Sequence, residues 1–221
     1  MQVPTGGVTR SVVTEAACIK HTRLNMASKR PKARLKTPPD HRLNKPQLAL
    51  RDEIMATRKG LKKLSGPFAV WLHAPEFGNH AQRLGAHCRY KTSLPPRLSE
   101  FAILTTARMW HAQYEWNAHA PMAERAGVSV RTIADLRAGR YPKSARPDER
   151  ALYDFIAELY RTRRVSDRNY SRVFKIVGTA GMVEFVGILG YYALVSMTLN
   201  VFSMPVEPGQ TMPFKEPPVR R

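Results

Sequence analysis

"LPPRLSEFAILTTARMWHAQYEWNAHAPMAERAGV", residues 94–128, opens on two prolines and ends just past a glycine. Two apolar, helically periodic runs lie between, almost without a gap. Pro95 and Pro96 block any helix arriving from upstream, and Pro96 is itself tolerated in a first turn. Phe101, Leu104, Ala107 and Trp110 then recur at helical spacing. The second run, 112–127, stops at Gly127. The pattern predicts two consecutive helices. Glu100 sits one turn past Pro96 on the first; Glu115 and His119, four apart, share one face of the second. On spacing alone such a pair is a surface contact worth ~0.2–0.5 kcal/mol. Trp110, Tyr114 and Trp116 around it argue for burial, and Pro121 removes one helix hydrogen bond close by. If the helices pack together, two carboxylates meet one imidazole. They would raise its pKa and fix its tautomer, which makes a workable acid–base site.

The remaining pattern is helical nearly throughout, with no long alternating strand, no G-x-G-x-x-G and no P-loop. "KPQLALRDEIMATRK" (45–59) starts with Pro46 in a first turn. "GPFAVWLHAPEFGNHAQRLGAHCRY" (66–90) reads as a short helical turn and a second helix opening near Pro75, with small residues that let a neighbour approach. Ser129 is the natural N-cap of "VRTIADLRAG", and "PDERALYDFIAELYRTR" (147–163) begins with a proline and two acids. Another helix starts at Ser166 or Asp167, and an apolar one covers about 181–200. The expectation is an all-α domain of about six to eight helices spanning 46–204.

The chain carries a net charge of +19, of which residues 1–45, with ten Lys or Arg and two acids, hold +8. That first stretch mixes basic residues with proline and reads as a basic tail without a core, or as a start assigned ahead of Met26. Residues 205–221, with "MPVEPGQTMPFKEPPVRR" running into them, read as an irregular, exposed Pro-rich tail. Cys18 and Cys88 make neither a disulfide framework nor a zinc motif, and no metal site is expected. The N-terminus lacks the apolar core of a secretory signal, so the expected location is cytoplasmic. "VGILGYYALVSMTLNVF" (186–202) has no charge, and at 17 residues is short for a membrane span. A buried or oligomer-forming helix is the expectation, with no membrane partner.

The quoted stretch resembles the carboxymuconolactone decarboxylase family, relatives of the alkyl hydroperoxidase D proteins. "GPFAVWLHAPEF", "LPPRLSE", "YEWNAHAPMAERAGV", "VSDRNYSRVF" and "VEFVGILGYYALVSMTLNVF" occur in the family's order over roughly 46–204. The resemblance implies an alkyl hydroperoxidase D-like helical fold, and the apolar 181–200 helix, too much surface for a monomer to expose, predicts a homo-oligomer, trimer- or hexamer-like. In the family's peroxidase branch two cysteines precede the histidine, with a glutamate on the helix before. Here Glu100 and His119 match that glutamate and histidine, while the cysteine positions fall on Ala112 and Glu115. Neither can form a thiolate, so dithiol peroxidase chemistry is excluded. In the decarboxylase branch the resemblance implies Glu-Trp-two residues-His, which Glu115, Trp116 and His119 fit.

That branch implies loss of carbon dioxide from an unsaturated carboxylated lactone. The substrate acts as its own electron sink, so no cofactor is expected. His119, oriented by Glu115 or Glu100, would be the acid. His73 is the candidate to meet the developing oxyanion, with Arg97 or Arg108 behind it and Tyr114 and Trp116 lining the substrate. His73 could equally be a helix-end residue satisfied by backbone, and Arg97 a solvated first-turn charge. The expected partner is a small anionic organic substrate. A non-catalytic helical oligomer is the competing class. Nucleic-acid binding has only the charge of the basic tail behind it, with no recognition motif.

Overall fold

The computed structural model describes residues 32–58, 60–215 and 217. Eight helices follow one another: α1 (Lys45–Thr57), α2 (Gly66–Trp71), α3 (Pro75–Tyr90), α4 (Pro96–Met109), α5 (Gln113–Arg125), α6 (Val130–Arg137), α7 (Pro147–Thr162) and α8 (Asp167–Val201). A single 3-10 turn, Asp40–Arg42, precedes them, and no strand occurs among the described residues. The start signals read in the sequence carry the expected chemistry. Asn44 and Gln47 close a capping box at α1, and Ser129 Oγ accepts from the Thr132 amide at 3.1 Å to cap α6. Pro121 lies on the exposed face of α5, which runs through it without a break. The two expected helices at 167–178 and 181–200 both form; they adjoin within α8 and are separated at Gly178, whose backbone leaves helical geometry (φ 68°, ψ −173°).

α4 is the central helix. Leu98, Phe101, Ala102, Ile103, Leu104 and Ala107 are all essentially inaccessible, because α5, α7 and α8 pack around α4. Each large side chain so buried contributes about 1.5–3 kcal/mol of transfer free energy. Its two buried threonines are satisfied: Thr105 Oγ1 donates to the Phe101 carbonyl at 2.8 Å, and Thr106 meets the Tyr160 hydroxyl at 3.3 Å. α1 and α2 cover α3, and α2 and α3 both reach α8. Gly85 on α3 permits the closest of these contacts, since an added Cβ would lie 2.0 Å from the Tyr191 hydroxyl. α8 has the length and composition of a membrane-spanning helix, and 33% of its most apolar window is buried inside the fold.

The tails differ from the expectation. Residues 1–31, with Cys18 and Met26, lie outside the described residues. Residues beyond them dock: the Arg34 amide donates to the Phe202 carbonyl at 2.9 Å, and the Arg34 guanidinium to the Val201 carbonyl at 2.7 Å. The C-terminal segment, expected to be exposed, is irregular but anchored. Gln113 and Phe214 exchange two hydrogen bonds, at 2.7 and 3.3 Å. The Phe214 ring meets Trp116 and His111 edge-on, with Arg108 4.9 Å from its centre. Prolines rule out helix here, but they leave an extended strap free to bury one aromatic. We expect Phe214→Ala to lower the unfolding free energy by about 1–3 kcal/mol. Urea unfolding monitored by circular dichroism checks this, with the exposed Val130→Ala as a near-neutral control.

Candidate active site

Only three residues, Trp110 to Ala112, separate α4 from α5. His111 takes a left-handed backbone conformation (φ 52°), and the Ala112 amide returns to the Ala107 carbonyl at 2.8 Å. This tight reversal lays α5 against α4 and sets Glu100 beside His119. His119 Nδ1 lies 2.7 Å from Glu100 Oε2, and Nε2 lies 3.0 Å from Glu115 Oε1. The imidazole is 3% exposed, and both carboxylates are largely buried with it. Glu115 also stands in the first turn of α5, where the helix dipole favours a negative charge. The Tyr192 ring closes the site edge-on, 5.2 Å from the His119 ring centre.

Burial by itself would push the His119 pKa down. The Glu115 charge and the hydrogen bonds to Glu100 and Glu115 outweigh it and raise the ring to about 9. In the charged ring both nitrogens donate, one to each carboxylate. No ring nitrogen is left over, so a proton leaving His119 passes to Glu100 or Glu115.

Glu115 and His119 border a cavity of about 290 Å³, at the lower end of the range for ligand sites. Its walls include Tyr114, Tyr191 and Tyr192, whose hydroxyls burial pushes above the usual range and so keeps protonated. Tyr114 is held by Ser65 at 2.8 Å and Glu207 at 3.1 Å. Gly66 (φ 57°) makes room for it, because an added Cβ would lie 2.5 Å from the Tyr114 ring. Two arginines also line the cavity, Arg58 and Arg89. Arg58 is 8% exposed and donates to neutral acceptors: Thr57 Oγ1 at 2.9 Å, Gln82 Oε1 at 3.1 Å and the Gln82 carbonyl at 3.1 Å. Arg89 lies 2.7 Å from Met122 Sδ and over the Tyr90 ring. Among the described residues neither forms an ion pair with a carboxylate.

Of the residues picked from sequence, Glu100, Glu115, His119 and Tyr114 come together. The other candidates stand elsewhere. His73 is exposed, and its Nε2 lies 3.1 Å from the Lys36 carbonyl. Arg97 pairs with Asp148 and, at 2.7 Å, with the buried Glu149, tying α4 to α7. Arg108 donates to the Arg137 carbonyl at 3.0 Å on the strap side. Trp116 is buried against Phe214, behind the cavity wall. Burial pushes the Cys88 thiol up, away from thiolate chemistry. Sequence reading missed Arg58, Arg89, Tyr191 and Tyr192. Arg58 is one cation in the basic run "RKGLKK", and Arg89 reads as an ordinary cation in a last helical turn. The two tyrosines lie in an uncharged run that reads as packing.

Residues 75–158 match the carboxymuconolactone decarboxylase family. That stretch is a carboxymuconolactone decarboxylase family domain. It contains Glu100, Glu115, His119 and Arg89, while Arg58, Tyr191 and Tyr192 come from outside it. No curated protein matches the chain. The all-helical architecture agrees with the alkyl hydroperoxidase D-like fold of this family.

The raised His119 pKa sets a pH dependence. A ring that holds its proton more tightly folded than unfolded stabilises the protein fully below its ordinary value of 6.5, and that contribution is lost as pH rises through about 9. We expect the wild-type Tm to fall between about pH 6.5 and 9 more steeply than that of His119→Gln. Parallel slopes in calorimetric scans would show that the ring is not held charged.

Proposed function

We propose that this protein is a cofactor-independent acid–base enzyme of the decarboxylase type, acting on an unsaturated carboxylated lactone or a related carbon acid. The observation that carries this reading is the buried chain Glu100–His119–Glu115, ending at a cavity. Glu115 exchanges the proton with substrate carbon, and His119 exchanges it with Glu115 while Glu100 holds the imidazolium. In the decarboxylation the C–C bond to the leaving carboxylate breaks and carbon dioxide departs. The electron pair spreads through the unsaturated ring to the lactone carbonyl. A proton from Glu115 then closes the new C–H bond, and a solvent proton restores the relay. The substrate supplies its own electron sink, so this route requires no bound cofactor. Glu115 also occupies a position where the peroxidase branch carries a cysteine, which favours acid–base over thiol chemistry.

Glu115→Gln and His119→Gln should each lower kcat by about 10²–10⁴-fold while leaving the fold intact by circular dichroism. Carbon dioxide release or solvent-deuterium incorporation, followed over a panel of unsaturated lactone and keto acids, supplies the assay. Wild-type rates in both variants would remove the relay from the reaction.

We also propose that the protein works as a homo-oligomer through α8. Val183, Val186, Gly190, Met197 and Val201 face solvent along one uncharged strip, and nothing lies within 4 Å of a Cβ added at Gly190. A second copy covering this strip would remove an apolar surface of the kind monomers rarely expose. Analytical ultracentrifugation at micromolar concentration should show a trimer or hexamer that Val183→Glu dissociates. A wild-type monomer would overturn this.

A further inference from the structure

The cavity holds an electrostatic imbalance that the relay does not explain. Arg58 is nine-tenths buried, yet its guanidinium bonds to neutral groups: Thr57, the Gln82 amide oxygen, the Gln82 carbonyl and the Tyr191 hydroxyl. Taking one ion out of water costs several kcal/mol, and neutral hydrogen bonds recover only part of that. Buried charges are ordinarily paired. Burial lowers the Arg58 pKa, and the charge of Arg89 lowers it further, so the two cations repel each other across the same cavity. The fold gives the guanidinium a fixed position regardless. Gln82, wholly buried on α3, grips two of its nitrogens, and the Phe68 ring lies 4.5 Å beneath. Arg97, by contrast, is already neutralised by two acids.

We infer that Arg58 and Arg89 form the anion-binding end of this cavity and hold one carboxylate of a small organic acid, which keeps that carboxylate through the reaction. A guanidinium fork matches a carboxylate with two parallel hydrogen bonds. The carboxylate bound there is not the one lost. Stabilising it in the ground state would raise the barrier to its departure as neutral carbon dioxide. Arg58 and Arg89 therefore orient the substrate from its unreactive end, and the opposite end meets Glu115. On formal charges the two arginines contribute +2 and the Glu100–His119–Glu115 unit −1, so the monocarboxylate left after carbon dioxide departs brings the site to neutrality. This inference rests on Glu115 facing the substrate, but its test does not require turnover.

The experiment is calorimetric titration of the full chain with benzoate and glutarate, against benzamide as the neutral counterpart of benzoate. Both carboxylates should bind, and benzamide at least tenfold more weakly than benzoate. Arg89→Gln should weaken carboxylate binding by about ten- to a hundredfold and leave benzamide unchanged, as loss of a charge-assisted hydrogen bond implies. Arg58→Lys keeps the charge but loses the fork, and should weaken carboxylates by about tenfold. Glu115→Gln should bind them at least as tightly as wild type, because it removes a neighbouring negative charge. Failure of both carboxylates to bind wild type at millimolar concentration would overturn the inference. So would equal affinity for benzamide and benzoate, or unchanged carboxylate affinity in an Arg89→Gln protein with a wild-type unfolding midpoint. Arginine-dependent binding alongside full activity in Glu115→Gln would sink the relay alone and leave the anion site standing.

Discussion

One buried imidazole held between two carboxylates governs this molecule. Taking three ionisable groups out of water is unfavourable unless each finds its counterpart at hydrogen-bond distance. The arrangement therefore requires a rigid frame. The α4–α5 hairpin supplies it, with a three-residue link, a left-handed His111 and a central helix buried on all sides. Glu115 and His119 share α5 and need only helical spacing. Glu100 comes from another helix, so its 2.7 Å contact with His119 depends on the hairpin register. A shift of one residue in α4 would rotate Glu100 by about 100° around the helix and leave Nδ1 without its partner.

The far wall of the cavity is built by a different rule. Gly85 and Gly66 do not serve as loop residues there; each leaves space that a tyrosine fills. α8 delivers Tyr191 and Tyr192 to the cavity and brings Tyr192 onto the His119 ring. One side of α8 thus completes the site, while its opposite side presents an uncharged strip to solvent. The C-terminal strap acts at longer range. Glu207 holds the Tyr114 hydroxyl and Phe214 backs Trp116, so the segment after the last helix fixes the outer face of the helix that carries the relay.

Arg97 and Arg58 show how poorly charge alone indicates function. Both are arginines in a basic chain. Arg97 ties two helix starts together, and with burial opposing it still holds the Asp148 carboxyl below its ordinary range. Arg58 meets only neutral partners at a cavity wall. Net charge describes the field that a distant anion meets. The partners of each guanidinium decide what it can hold.

The sequence by itself determined the helices and half of the site. Proline starts, serine and asparagine caps and glycine stops are local signals, satisfied by backbone within a few residues, so they survive without tertiary context. Glu115 and His119 were legible for the same reason, since four residues make one helix face. Glu100 was legible only because its helix and the next are nearly continuous in the chain. The tertiary structure decided the rest: that the pair is buried, that both ring nitrogens are occupied, and that His73 and Arg97 belong elsewhere. It also brought Arg58, Arg89, Tyr191 and Tyr192 to one cavity from three helical regions up to 134 positions apart in the chain. No periodicity or local motif encodes such a meeting, because it arises from how whole helices pack.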